Sequence, residues 1–224
     1  WTLPGNQFAA VHPELDYAVA ADEATGQRLV LAAALVETLS GKLGRPLQVL
    51  QTVAGRALVG LGYTAPFDYY AKEYGSRRLR ERPECGGREL RYAWRVVPAD
   101  FVDVSSGTGV VHIAPAFGEV DHQLLETERA RFEGGTAPIL FCPVAPDGNF
   151  THEAPDYQGR WVKDCDKDIQ RRLKQLGLLV HHHVHRWGHD AEGQPEVVEL
   201  RPDRLTPLDE VLRSPLGRHP LKGF

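Results

Sequence analysis

The chain has 224 residues, 42% hydrophobic and 25% charged, so it can bury a core and lies outside disordered, collagenous and coiled-coil compositions. Its net charge of -4, from 26 Lys and Arg against 30 Asp and Glu, supplies no global basic field, so any contact with nucleic acid has to be local. Cys85, Cys142 and Cys165 lie far apart and form no Cys-x-x-Cys, which argues against a disulfide framework or zinc knuckle and for a reducing cytoplasmic setting.

No apolar run reaches the roughly 18 residues of a membrane span, and no signal peptide opens the chain. The chain starts at Trp1 and has no Met, so it is expected to be a fragment of something longer. Length predicts one main domain over residues 1–190, with a surface insertion at about 67–93. Residues 191–224 are expected to form a tail, broken by Gly193, Pro195, Pro202, Pro207, Pro215 and Pro220, with a short helix starting near Thr206.

In chain order, the turn-rich Trp1-Thr2-Leu3-Pro4-Gly5-Asn6 leads into a strand at 8–11, ended by His12-Pro13. Strands are predicted at 17–20 and 27–31, a helix at 32–39 closed by Gly41 and Gly44, and a further strand at 47–53. Residues 55–66 read as a loop. Residues 67–91 read as an irregular, solvated insertion in which Arg77, Arg78, Arg80, Arg82 and Arg88 crowd around Pro83 and Gly86-Gly87, a charge that can meet phosphate.

Strands are predicted at 94–97, 101–104 and 110–114, then a helix at 119–132 stopped by Gly134-Gly135. Residues 138–142 and 159–162 look extended, and Pro146-Asp147-Gly148-Asn149 is a turn. Asp164 is the expected cap of a helix at 165–176, with Ile169, Leu173 and Leu176 as its buried stripe, Gly177 as its stop and a returning strand at 178–184. Short strands interleaved irregularly with helices predict an α+β fold, with a barrel-like mixed β core and peripheral helices.

Phosphate-loop, nucleophile-elbow, His-Glu-x-x-His and dinucleotide motifs are all missing. The informative run is Gly107-Thr108-Gly109-Val110-Val111-His112-Ile113-Ala114-Pro115-Ala116-Phe117-Gly118-Glu119-Val120-Asp121. It sets His112 in an apolar strand, and Pro115 and Gly118 force a loop that delivers Asp121 to the first turn of a helix, so the two can meet in one pocket. Taken singly, His112 reads as a core histidine and Asp121 as a carboxylate favoured by the helix dipole.

Three segments together, Trp1 to Asn6, Val11-His12-Pro13-Glu14 and Gly107 to Asp121, resemble the editing domain inserted in isoleucyl-tRNA synthetase. Gly60-Leu61-Gly62-Tyr63-Thr64-Ala65-Pro66-Phe67 and the run from Tyr157 to Ile169 add to the likeness, which covers about residues 1–67 and 94–180. The opening motif is similar to the isoleucyl version rather than to the related valyl and leucyl enzymes, whose editing domains are the nearest alternative.

The resemblance implies an aminoacyl-ester hydrolase acting on valine misattached to the tRNA for isoleucine, with valyl-adenylate as a further candidate substrate. Asp121 would bind the α-ammonium group, and His112 would line the side-chain pocket and exclude isoleucine. Trp1 and Thr2 would form one wall, with Thr2 in the hydrolytic site; Phe117 would pack on the terminal adenosine, and Thr108 with Gly109 would admit the backbone to the aminoacyl end. Water is the expected nucleophile, because the matching motifs hold no Ser or Cys. In the family a threonine-rich stretch precedes Trp1 in the hydrolytic site, and here Thr2 alone represents it. The tRNA acceptor end and the rest of the parent synthetase are the expected partners, with no membrane, metal or cofactor. Neither His-Ile-Gly-His nor Lys-Met-Ser-Lys-Ser occurs, so the synthetic reaction and its ATP are not expected in this chain.

Two other readings stand beside this one. A strand through His181, His182, His183, His185 and His189 would place alternate imidazoles on one face, able to hold zinc or nickel. The domain would otherwise be a module that binds the tRNA acceptor end without hydrolysing anything.

Overall fold

The computed structural model describes residues 1–133 and 136–182. The expected stop at Gly134-Gly135, the tail at 191–224 and the imidazoles of His183, His185 and His189 lie outside the described residues.

Among the described residues the elements follow one another as β1 (Phe8–Val11), β2 (Asp16–Asp22), β3 (Gln27–Ala32), α1 (Val36–Leu43), β4 (Gln48–Ala54), α2 (Ala71–Tyr74), β5 (Arg78–Arg80), β6 (Glu89–Arg91), β7 (Val96–Pro98), β8 (Val110–Ile113), α3 (Glu119–Arg129) and α4 (Val162–Gln175). The apolar Phe8-Ala9-Ala10-Val11 is buried on both faces and becomes the middle of one sheet, parallel to β7 and antiparallel to β8. A second sheet centres on β2, between β3 and β4, and β5 pairs with β6 as a hairpin.

This α+β arrangement does not close into the barrel-like core that the sequence predicts; among the described residues the strands form separate small sheets. The first two sheets meet where the Ala32 N–H donates to the Thr108 carbonyl at 2.7 Å, rather than through a ladder. Gly109 permits this approach: its φ is +71°, and a Cβ there would lie 2.6 Å from that of Ala32.

The two faces of the β1 sheet have different covers. Phe8, Ala10, Val97 and Ile113 pack against Leu124 and Leu125 of α3, whereas Ala9 and Val11 join the large cluster around β2. A third cluster sets Cys165, Ile169 and Leu173 of α4 against Leu3 and Phe150, so α4 packs on the start of the chain. Its stripe is the predicted one apart from Leu176, which is exposed. Gly177, at φ +66°, ends it with paired bonds from the Gly177 N–H to the Lys174 carbonyl and from the Leu178 N–H to that of Leu173. No helix among the described residues is long and apolar enough to cross a membrane.

Several predicted elements differ in the structure. The helix expected at 32–39 begins with a 3-10 turn, Ala33–Leu35, and its α-helical part reaches Leu43. The first helical residue of α4 is Val162, so Asp164 lies inside the first turn and caps nothing. Residues 101–104 form no strand, because Asp103 Oδ1 accepts bonds from the Ser105 N–H and hydroxyl and draws the backbone into a turn. Residues 138–142 also join no ladder. Their polar groups are served by side chains instead: Gln7 Nε2 and Arg129 Nε donate to the carbonyls of Ile139 and Pro138, and the Ile139 N–H donates to the Tyr92 hydroxyl. Residues 159–162 contribute a lone bridge, Asn149 to Trp161, and 178–182 are not a strand.

The segment at 67–93, expected to be irregular and solvated, is a packed unit. Leu79 and Leu90 are buried under the hairpin, and Tyr70 stacks on Phe141 with ring centres 4.2 Å apart. Glu81, fully buried, takes bonds from Arg88 and Arg131. Arg131 also bonds Glu128, which lies 2.6 Å from Arg95 in a dry chain of charges joining the hairpin, α3 and β7.

Candidate functional site

The site begins with the turn that opens the chain. Pro4 starts the 3-10 turn Leu3–Gly5 and Thr2 precedes it. Buried Asn6 then locks the turn in place: its Nδ2 donates to the Phe8 carbonyl at 3.0 Å, and its side-chain and main-chain oxygens accept from the Tyr63 hydroxyl at 2.8 Å and Trp94 Nε1 at 3.1 Å. Trp1 and Thr2 are thereby presented to the end of β8.

Thr2 Oγ1 lies 3.0 Å from His112 Nε2. His112 stands opposite Ala9 in the register, on the face of the sheet away from α3. Burial pushes its pKa down to about 4, so the imidazole is neutral at physiological pH. Its Nδ1 is buried without a hydrogen-bond partner.

Asp121 is the third residue of α3, and its Oδ2 accepts the Ala114 N–H at 2.7 Å. This bond closes the turn of residues 115–118 and fixes the carboxylate at the end of β8. Burial pushes its pKa up, and the Ala114 bond acts against that. Gly118 packs beside the carboxylate, where a Cβ would meet Asp121 Cγ at 3.6 Å and Oδ1 at 3.8 Å, ordinary contact distances.

Phe117 joins the two halves. Its ring packs edge-on against Trp1 at 4.9 Å, and its loop lines an open concavity of about 610 Å³ with Pro115, Gly118, Glu119, His122 and Leu140. Lys163 of α4 lies 5.4 Å from the centre of the Trp1 ring, and Asp166 accepts from the Trp1 amino group at 2.8 Å.

The structure thus gathers Trp1, Thr2, His112 and Phe117 around one turn, with Asp121 at its far side. No hydrogen bond or ion pair joins His112 to Asp121; the first is held by Thr2 and the second by the Ala114 N–H, both at the end of β8. Thr108 and Gly109 are not in this group. They sit at the other end of β8, against Ala32 and the Tyr17 hydroxyl, which donates to the Gly109 carbonyl at 2.7 Å.

No family model matches the chain. It is 39% identical over 179 residues to an isoleucine–tRNA ligase of Bdellovibrio bacteriovorus, a match covering 80% of this chain and 15% of that protein. A cytoplasmic isoleucine–tRNA ligase of Caenorhabditis elegans is 40% identical over 180 residues, 80% of this chain and 14% of the relative. The chain is a homologue of isoleucine–tRNA ligases. It spans about 15% of the length of the relatives it matches. Its fold is similar to the cytosolic leucyl-tRNA synthetase editing domain of Plasmodium falciparum, with TM-score 0.51 at 11% identity over 78% of this chain and 73% of that one. The crystal structure of the CP1 domain of a leucyl-tRNA synthetase, GlLeuRS, gives 0.51 at 14% identity, over 79% and 77%. At these identities the likeness is one of fold.

In this isoleucine–tRNA ligase homologue Asn6 and Tyr63, which stand inside the resembling motifs with no role implied for them, are positioning residues. They hold Trp1 and Thr2 in place, and the signal was available as an Asn directly after a Pro-Gly turn. The Ala114 N–H, which orients Asp121, carries no side-chain signal at all.

Proposed function

We propose that this chain is an editing module that hydrolyses valine misattached to the tRNA for isoleucine, and valyl-adenylate in the same pocket. The observation that carries the reading is the half-buried Asp121 carboxylate, held in place through Oδ2 by the Ala114 N–H at 2.7 Å, with no side-chain partner on Oδ1 among the described residues. A substrate α-ammonium group needs an acceptor of this kind, fixed before it arrives.

The neutral His112, oriented by Thr2, lines the side-chain pocket and sets its size. Trp1 and Thr2 are the wall, and Phe117 stacks the terminal adenosine toward the concavity. Thr108 and Gly109 act through the strand they anchor. Water attacks the ester carbonyl carbon, the bond to the ribose oxygen breaks, and free valine and the tRNA hydroxyl leave. A second sieve of this kind is needed because a pocket shaped for isoleucine gains only about 1–3 kcal/mol against valine; isoleucyl-tRNA synthetase is itself the standard illustration of that limit, and the figure comes from there. The tRNA acceptor end and the remainder of the parent synthetase are the partners.

The test compares deacylation of valyl-tRNA by the unaltered chain and by Asp121→Asn, which keeps an acceptor for Ala114 but removes the charge. Loss of at least 100-fold in rate with unchanged RNA affinity supports the reading. Equal rates overturn it.

A further inference from the structure

Two arginines face each other across the hairpin of β5 and β6. Arg78 pairs in register with Arg91 on the side of the hairpin opposite buried Leu79 and Leu90; Arg78 is exposed and Arg91 partly buried against Gly62. Like charges placed directly opposite are unfavourable. Among the described residues neither has a carboxylate partner: Arg78 donates only to the carbonyls of Ser76 and Arg77, and Arg91 to that of Tyr63 at 3.3 Å. The neighbouring Arg77 and Arg88 are paired, with Glu73 and Glu81. Exposed Arg80, two residues along the same face, stands opposite Glu89.

Arg91 is also held in advance of any ligand. Its guanidinium lies flat on Gly62, where a Cβ would come within 2.6 Å of Arg91 Cδ and 2.7 Å of Cζ, so a side chain at 62 and this position of Arg91 are incompatible. Burial and the neighbouring Arg78 both disfavour the charge on Arg91. A cation fixed on a glycine and set against another cation lacks a counter-ion that the described residues do not provide.

We infer that Arg78 and Arg91 form a clamp for the phosphodiester backbone of RNA, with Arg80 extending it along the strand. Planar guanidinium forks suit phosphate oxygens, and a row of such groups on one strand face suits a chain of phosphates better than a single ion. The clamp rests on the editing reading only for its choice of RNA, and it lies on the hairpin rather than in the site around His112 and Asp121.

The test measures fluorescence anisotropy of a labelled RNA hairpin copying an acceptor stem with its CCA end, bound to the full chain over a range of salt. Arg78→Gln with Arg91→Gln is expected to weaken binding about tenfold and to reduce the slope of log Kd against log salt by about 1 to 2. Gly62→Ala, which displaces Arg91 without removing a charge, shifts affinity the same way, and Arg28→Gln, at an exposed position of β3, does not. Unchanged affinity and slope in the double variant, or no RNA binding by the unaltered chain, overturn the clamp and assign these arginines to a protein-facing or solvent surface. Valyl-tRNA hydrolysis fails separately: if it is absent while the arginine variants lose RNA, the clamp stands and the editing reading falls.

Discussion

The Thr2 hydroxyl lies 3.0 Å from His112 Nε2, joining residues 110 apart in sequence and tying the opening turn to β8. Removing it leaves a buried imidazole nitrogen without a partner, which costs about 1–3 kcal/mol. Thr2→Val keeps the shape and loses the bond, so its urea midpoint is expected to fall while its m-value stays constant. An unchanged midpoint would mean that the contact contributes nothing to holding the turn.

His112 also makes stability depend on pH. Its folded pKa of about 4 lies below the ordinary 6.5, so between these values the unfolded chain binds a proton that the folded chain refuses. Stability is therefore fully present above about pH 6.5, declines as pH falls toward 4, and loses up to about 3 kcal/mol from this group. Urea titrations of the unaltered chain and of His112→Gln between pH 7 and pH 4 read the difference, and the variant should lack that decline. Parallel curves would place the acid sensitivity elsewhere.

The chain of Arg95, Glu128, Arg131, Glu81 and Arg88, buried except at its Arg88 end, holds the hairpin against the C-terminal end of α3, whose first turn carries Asp121. Glu128→Leu strands a buried Arg95 and Arg95→Met strands a buried Glu128, each expected to cost about 3–5 kcal/mol, whereas the two substitutions together are expected to cost far less than the sum. Chemical denaturation of the two single variants and the double closes the cycle. Additive losses would show that the charges are not coupled.

Gly109→Ala combines an unfavourable φ with a Cβ 2.6 Å from that of Ala32. A loss of about 2 kcal/mol or more is expected, part of it recovered by adding Ala32→Gly, which relieves the collision but not the backbone strain. Thermal melts of the three variants give the comparison, and a double variant no better than Gly109→Ala would leave the collision without effect.

Much of this fold was legible from local pattern. The apolar run of β1, the aliphatic stretches that became β2 to β4, and the stripe Ile169, Leu173 with Gly177 behind it led directly to strands, a helix and its stop. Residues 138–142 were not legible, because an extended segment satisfied by Gln7, Tyr92 and Arg129 looks locally like a strand in a ladder. The hairpin was hidden for another reason: Glu81 among arginines reads as a wet surface until long-range packing buries it. At the site, residue types marked His112 and Asp121, but the side of the sheet that His112 takes follows from register with Ala9, and the Ala114 N–H that orients Asp121 belongs to the backbone.

If His112 sets the size of the pocket, shortening it should admit a larger side chain. His112→Ala is expected to hydrolyse isoleucyl-tRNA at a rate approaching that for valyl-tRNA, read as deacylation of both esters in parallel. A variant that still spares isoleucine would move the sieve to other residues.

The most direct measurement is deacylation of valyl-tRNA and of isoleucyl-tRNA, both on the tRNA for isoleucine, by the unaltered chain in one assay. Release of valine at least tenfold faster than isoleucine is the predicted result. Equal rates on the two esters, or no release of either, would contradict the assignment of this site to editing.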